Sequence, residues 1–165
     1  MSPPGSTTVN ADADIVLRRA RAGDAAVLTA LAHAAKRHWN YPEEWIRLWR
    51  RALTLEASWI EQHHVYLAEV DGVPAGFYAL ACEGDRWAVE HMWVDPRHMG
   101  RGLGRTLFTH ALASARAAGG RRLRVESDPN AEGFYRRMGA HRTGEAPSVP
   151  AGRMLPVLEI KIGKE

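Results

Sequence analysis

Three glycines at alternate positions, Gly100, Gly102 and Gly104, stand between a β-type run closed by Val94-Asp95-Pro96 and an apolar helical pattern that opens at Leu103. Glycine at this density lets several backbone N–H groups turn toward one point, because no Cβ stands in the way, and a helix start adds unpaired amides and a positive dipole end. The junction therefore demands a strand before it, a helix after it and room for an anion between them. Arg101 and Arg105 interleave with the glycines and Thr106 offers a hydroxyl in the first helical turn, so a phosphate-bearing ligand is expected here.

Two common phosphate loops do not fit. A nucleotide P-loop ends in Gly-Lys-Ser/Thr, whereas this chain has Gly104-Arg105-Thr106 with too few residues between the outer glycines. A dinucleotide fold places its glycines in an early parallel βαβ unit with an acidic ribose ligand further on, and here antiparallel-type strands come first.

The elements around the loop follow from periodicity and turn chemistry. Residues 15–19 predict a strand, and Gly23-Asp24 then opens an Ala-rich helix running to about Lys36, with Asp24 placed to cap it. Pro42, Glu43 and Glu44 suit the start of a second helix, whose apolar stripe, Trp45, Leu48, Trp49, Leu55 and Trp59, carries it to about His63. Residues 65–70 and 76–82 read as strands joined at Asp71-Gly72, and 87–94 as a third after Glu83-Gly84-Asp85, together a meander. The helix from Leu103 buries Leu107, Phe108, Ala111, Leu112 and Ala115 and stops at Gly119-Gly120. A strand over 122–126, a break at Asp128-Pro129-Asn130, a short helix to Met138-Gly139 and strands over 141–144 and 155–162 complete the chain. Pro156 predicts an edge or a bulge for the last strand.

Composition narrows the function. With 22 basic against 19 acidic residues the net charge is +3, too balanced for a dedicated nucleic-acid protein, and the basic residues gather locally at 97–105 and 121–124. One cysteine, Cys82, excludes an internal disulfide framework, no stretch approaches the ~20 apolar residues of a membrane span, and residues 1–12 read as a disordered lead-in without a signal-peptide core. A cytoplasmic protein is expected, with one domain over residues 13–165. His33, His38, His63 and His64 lack the matched spacing of a metal site, so no metal is expected.

Met99-Gly100-Arg101-Gly102-Leu103-Gly104 resembles the Gln/Arg-x-x-Gly-x-Gly/Ala loop that follows the fourth strand in the GNAT superfamily of acyl-CoA-dependent N-acetyltransferases. Met99 stands where that family usually has Gln or Arg. Downstream, Asp128-Pro129-Asn130-Ala131, Phe134-Tyr135 and Met138-Gly139-Ala140 are similar to the strand-to-helix segment that relatives place beside the coenzyme arm. The resemblance spans residues 14–162. It implies an α/β (α+β) fold, a mixed and mostly antiparallel central sheet of six to seven strands with about four helices on its faces, and a fourth and fifth strand splayed to admit the pantetheine chain.

The resemblance further implies acetyl-CoA as cosubstrate, held by Met92, Trp93, Val94, Met99, Gly100, Arg101, Gly102, Leu103, Gly104, Arg105, Thr106, Asn130, Phe134 and Tyr135. Tyr135 would donate a proton to the departing thiolate. Glu90, four residues before Val94, would act as base toward the acceptor amine, directly or through water, and a backbone N–H within 92–94 would meet the oxyanion. His91 competes for the base role because imidazole titrates nearer neutrality, and strand alternation puts Glu90, Met92 and Val94 on one face with His91 and Trp93 on the other. Trp39, Tyr41 and Trp45 are expected to line an aromatic acceptor pocket beside Glu90, suited to an apolar or cationic amine. The function implied is transfer of an acetyl group from acetyl-CoA to a primary amine of a small molecule or peptide by direct attack in a ternary complex. No nucleic-acid or membrane partner is implied, and a homodimer is compatible with the reading. The competing reading is a catalytically silent coenzyme-binding module.

Overall fold

The computed structural model describes residues 14–163; the expected lead-in, residues 1–12, lies outside the described residues. Among these residues seven strands form one sheet in the order β1-β2-β3-β4-β5-β7-β6. They are β1 (Ile15–Arg19), β2 (His64–Val70), β3 (Val73–Glu83), β4 (Arg86–Val94), β5 (Arg122–Glu126), β6 (His141–Pro147) and β7 (Met154–Lys161). Every neighbouring pair is antiparallel except β4 with β5. The β2–β3 hairpin turns on Asp71 and Gly72, both at positive φ (51° and 81°), the backbone that a two-residue turn of right-handed strands needs.

Among the described residues five α-helices flank the sheet: α1 (Ala25–Arg37), α2 (Glu43–Trp49), α3 (Ala57–Gln62), α4 (Leu103–Ala117) and α5 (Glu132–Arg137). On one face, Leu107, Phe108, Ala111 and Ala115 of α4 pack with Tyr78, Leu80, Leu123 and Val125. On the other, Leu28, Leu31 and Ala32 of α1 join Ile46, Trp49 and Ile60 over Val65, Leu67, Phe77 and Ala79. Each face thus has its own apolar cluster, as the alternation of β3 requires.

Three expectations are corrected. The helix expected from Pro42 to about His63 is two helices, with residues 50–56 between them. Leu53 and Leu55 are both buried there at a spacing that one helix face cannot provide, and the Leu55 N–H is taken by Thr29 Oγ1 of α1 at 2.9 Å. Asp24 does not cap α1 with its side chain. Its carboxylate accepts both terminal nitrogens of Arg18 at 2.9 Å and the Arg21 N–H at 2.8 Å. Finally, of the edge or bulge expected at Pro156, the edge is overturned, since β7 is an interior strand, while a bulge does lie beside it. The partner strand β6 shifts register between Arg142 and Gly144, close to Pro156, whose carbonyl accepts from Ser127 N–H at 2.9 Å beyond the end of β5.

Candidate active site

β4 and β5 pair only from Arg86↔Arg122 to Val89↔Val125. Beyond that point β4 continues to Val94 bonded to β3 alone, β5 stops at Glu126, and the two backbones part. The splay that the sequence pattern did not show opens a cleft of about 610 Å³. One wall is residues 89–94 of β4, whose edge is free beyond Val89; the other is Val125 to Asp128 with Asn130, Phe134 and Tyr135; Met99, Gly100, Gly102, Gly104 and Arg105 also line the cleft, as do Trp39 and Ala35.

The glycine loop enters this cleft as the start of α4. Gly100 and Gly102 adopt φ of 76° and 82°, open to glycine and strained for other residues. The first helical hydrogen bond runs from Thr106 N–H to the Gly102 carbonyl (3.0 Å), so the amides before it have no partner within the helix. No acidic residue occupies the first turn, and Arg105 lines the cleft. Backbone, dipole and guanidinium thus suit a phosphate. Of the other residues expected in this cradle, Leu103 is buried in the core, Thr106 donates its hydroxyl back to Gly102 O at 3.1 Å, and Arg101 is exposed outside the cleft lining.

Glu90 lines the cleft at a point where β4 carries one extra residue. Ala79 pairs His91 and Leu80 pairs Val89, leaving Glu90 without a partner on β3. The bulge shifts the alternation, so Trp87 and Val89 before it share the α4 face with Met92 and Val94 after it. Glu90 is the displaced residue and does not keep company with Met92 and Val94 as strict alternation required. Among the described residues its carboxylate makes no hydrogen bond or ion pair. Partial desolvation, and then the Glu126 carboxylate, push its pKa above the ordinary value, with His63 pulling the other way.

His91 is placed differently. Its Nδ1 accepts the Trp93 Nε1–H at 2.9 Å and its ring packs against Trp59 and Phe77. Burial lowers its pKa to about 4, so the ring is neutral at pH 7 and its lone pair is already engaged. Across the cleft Tyr135 is buried edge-on between Phe108 and Phe134, and its phenol is pushed upward mainly by burial and then by Asp128, so it remains a protonated donor.

The tryptophan-rich region holds residues that the sequence reading missed. Asp128 Oδ2 accepts from Lys36 Nζ at 2.6 Å and lies 3.5 Å from Arg153; both its oxygens receive the Tyr41 hydroxyl, at 2.9 and 3.0 Å. Lys36 stands 4.3 Å from the centroid of Trp49 and 4.9 Å from that of Tyr41, and Arg153 covers the same two rings. Of the three rings expected to line an acceptor pocket, Tyr41 is covered by two cations of the protein, Lys36 and Arg153. Tyr41 and Trp45 stack behind the cleft lining, and Trp39, 40% exposed, lines it. Burial lowers the pKa of Lys36 despite the opposing pull of Asp128; in Asp128 the burial penalty is outweighed by Lys36, the Asn130 N–H and Tyr41, and its carboxyl sits below the ordinary range. Asp128 and Tyr41 were visible as a turn residue and an aromatic, but nothing local announces a carboxylate shared with Lys36 and Arg153.

A seven-stranded mixed sheet, splayed between its parallel pair and opening on a glycine-rich helix start, defines a GNAT-type fold. Comparison with known proteins agrees: residues 18–140 match the model of the acetyltransferase (GNAT) family, and the chain belongs to that family. It is similar to the L-methionine sulfoximine/L-methionine sulfone acetyltransferase of Salmonella typhimurium, 30% identical over 114 residues that make up 64% of this chain and 66% of that protein. The chain thus spans just under two thirds of that relative's length. It is also similar to the peptidyl-lysine N-acetyltransferase YjaB of the same species, 28% identical over 138 residues, 72% of this chain and 89% of that protein. The crystal structure of PaiA N-acetyltransferase from Thermoplasma acidophilum in complex with coenzyme A shares the fold, with a TM-score of 0.75 at 18% identity over 90% of this chain and 99% of that one.

Proposed function

We propose that this protein is an acetyl-CoA-dependent N-acetyltransferase that acetylates a primary amine of a small molecule or peptide by direct attack in a ternary complex. The observation that carries the reading is the parting of β4 and β5 over a single cleft, which has Glu90 on one wall, Tyr135 on the other and the unpaired amides of α4 at its end. When bound, acetyl-CoA supplies the activated acetyl thioester. Gly100, Gly102, Gly104 and Arg105 would hold its phosphates, the free edge of β4 at 92–94 its pantetheine amides, and Asn130 and Phe134 the facing side of the arm.

Glu90 would take a proton from the incoming ammonium. Its raised pKa brings it closer to the task than an ordinary carboxylate. His91 is the weaker candidate because Trp93 occupies its acceptor nitrogen. A backbone N–H of 92–94 would stabilise the developing oxyanion, and Tyr135, held protonated by burial, would give its proton to the departing sulfur. Relatives named for amino-acid-like and peptidyl-lysine acceptors support an amine acceptor of either kind.

The test is release of free thiol from acetyl-CoA over a panel of free amino acids, polyamines and lysine peptides, with mass spectrometry of products formed in a cell extract. Turnover with at least one amine is expected. Tight coenzyme binding without turnover in any acceptor class would instead identify a silent coenzyme-binding module.

A further inference from the structure

Asp128 joins three other segments of the chain to its own turn. Lys36 comes from the end of α1, Tyr41 from the α1–α2 loop, Arg153 from the approach to β7, and Asn130 from the same turn as Asp128. Within this group the Asn130 carboxamide is fixed from two sides: its Nδ2 donates to the Tyr41 hydroxyl and to Asp128 Oδ1, both at 3.0 Å, while the Asn130 backbone N–H donates to Asp128 Oδ1 at 2.9 Å. An ionised carboxylate only accepts, and Lys36, the Asn130 N–H and Tyr41 keep Asp128 ionised. The nitrogen end of the Asn130 amide must therefore face Asp128, an assignment set by the donor and acceptor pattern. Among the described residues no protein donor holds its oxygen, and Asn130 lines the cleft.

We propose that Tyr41 and Asp128 are positioning residues for the coenzyme: they turn Asn130 so that its amide oxygen, and not its nitrogen, is offered to an N–H of the pantetheine arm. This inference rests on the coenzyme reading above. It ties coenzyme affinity to the loop that also carries Trp39, so the two sides of the cleft are set by one hydrogen-bond network. Tyr41→Phe is the suitable probe because it removes one oxygen and keeps the ring that packs on Trp45 and Trp49.

The experiment is a double-mutant cycle on the Kd of coenzyme A, measured by calorimetry without acceptor. Tyr41→Phe and Asn130→Ala are each expected to weaken binding about fivefold, the worth of roughly one hydrogen bond, and the double variant to bind no more weakly than Asn130→Ala alone. A second readout needs no coenzyme. The side-chain amide signals of Asn130 in a ¹⁵N–¹H spectrum, assigned by their loss in Asn130→Ala, are expected to shift in Tyr41→Phe. If Tyr41→Phe leaves Kd unchanged, or weakens binding by the same factor with and without Asn130, Tyr41 does not act through Asn130 and the proposal is overturned. Failure of the unaltered protein to bind coenzyme A overturns the coenzyme reading itself, a distinct result.

Discussion

Glu90 shows how one extra residue in a strand becomes a candidate base. The bulge removes it from the β3 ladder, and its carboxylate lies in the cleft near Glu126, where ionisation is disfavoured. Because its folded-state pKa is raised, its contribution to stability is full below the ordinary carboxylate value and is lost as pH rises through the raised one; at neutral pH the ionised form is a cost. Glu90→Gln is accordingly expected to unfold at a slightly higher temperature than the parent at pH 7 and at the same temperature below about pH 4. In the rate profile the basic limb is expected to persist while the acidic limb, which the raised Glu90 pKa shifts upward in the parent, moves or vanishes. An acidic limb that stays in place transfers the base role to water or His91. Tyr135→Phe probes the opposite wall: kcat is expected to fall more than tenfold with coenzyme affinity little changed, as loss of a proton donor used only in the transition state requires. Equal rates for the two proteins would remove Tyr135 from the mechanism.

At the scale of elements, the glycine loop was readable because its constraint is local. Gly102 stands at φ 82° immediately before α4, and a side chain there meets no neighbouring atoms, so the cost of one is backbone strain. Gly102→Ala is expected to lose about 1–2 kcal/mol of stability in urea unfolding and to weaken coenzyme A binding, since relaxing the strain turns the loop amides. Unchanged stability would mean that the loop tolerates the left-handed conformation without glycine. The strands, α1, α4 and the two-residue hairpin at Asp71-Gly72 were legible for the same reason: period and turn chemistry act over a few residues. The break between α2 and α3 was not, because the tie of Leu55 to Thr29 on another helix outcompetes the continuing apolar stripe. Nor was the displacement of Glu90, since a bulge is a property of the β3–β4 register and not of either strand alone.

For the whole molecule, the decisive pairs are those that sequence separation hides. Lys36 and Tyr41 lie 92 and 87 residues from Asp128, and Arg153 lies 112 from Tyr41, so the candidate donor site was legible in its loop motifs while the network behind the acceptor region was not. This network holds two cations, Lys36 and Arg153, and one anion, Asp128, with side chains only about 10% exposed. The count predicts an asymmetry. Removing a cation leaves a balanced pair, Asp128 with the remaining cation, and discards an ammonium that burial already disfavours. Removing the anion leaves two buried cations facing each other and frees the donors of Tyr41 and Asn130. Asp128→Ala is therefore expected to cost about 3 kcal/mol or more in urea unfolding at pH 7, and Lys36→Met about 1 kcal/mol or less. The pH dependence carries the same sign. The folded-state pKa of Asp128 is depressed, so its stabilisation is present above the unfolded value of about 3.9 and is lost as pH falls through the depressed value. The gap between the parent and Asp128→Ala should therefore narrow below about pH 4, whereas the gap to Lys36→Met stays small across that range. Equal costs for the two substitutions at pH 7 would mean that the cluster is held by the packing of Tyr41, Trp45 and Trp49, and that its charges contribute little to joining α1, the Asp128 turn and β7 around the cleft.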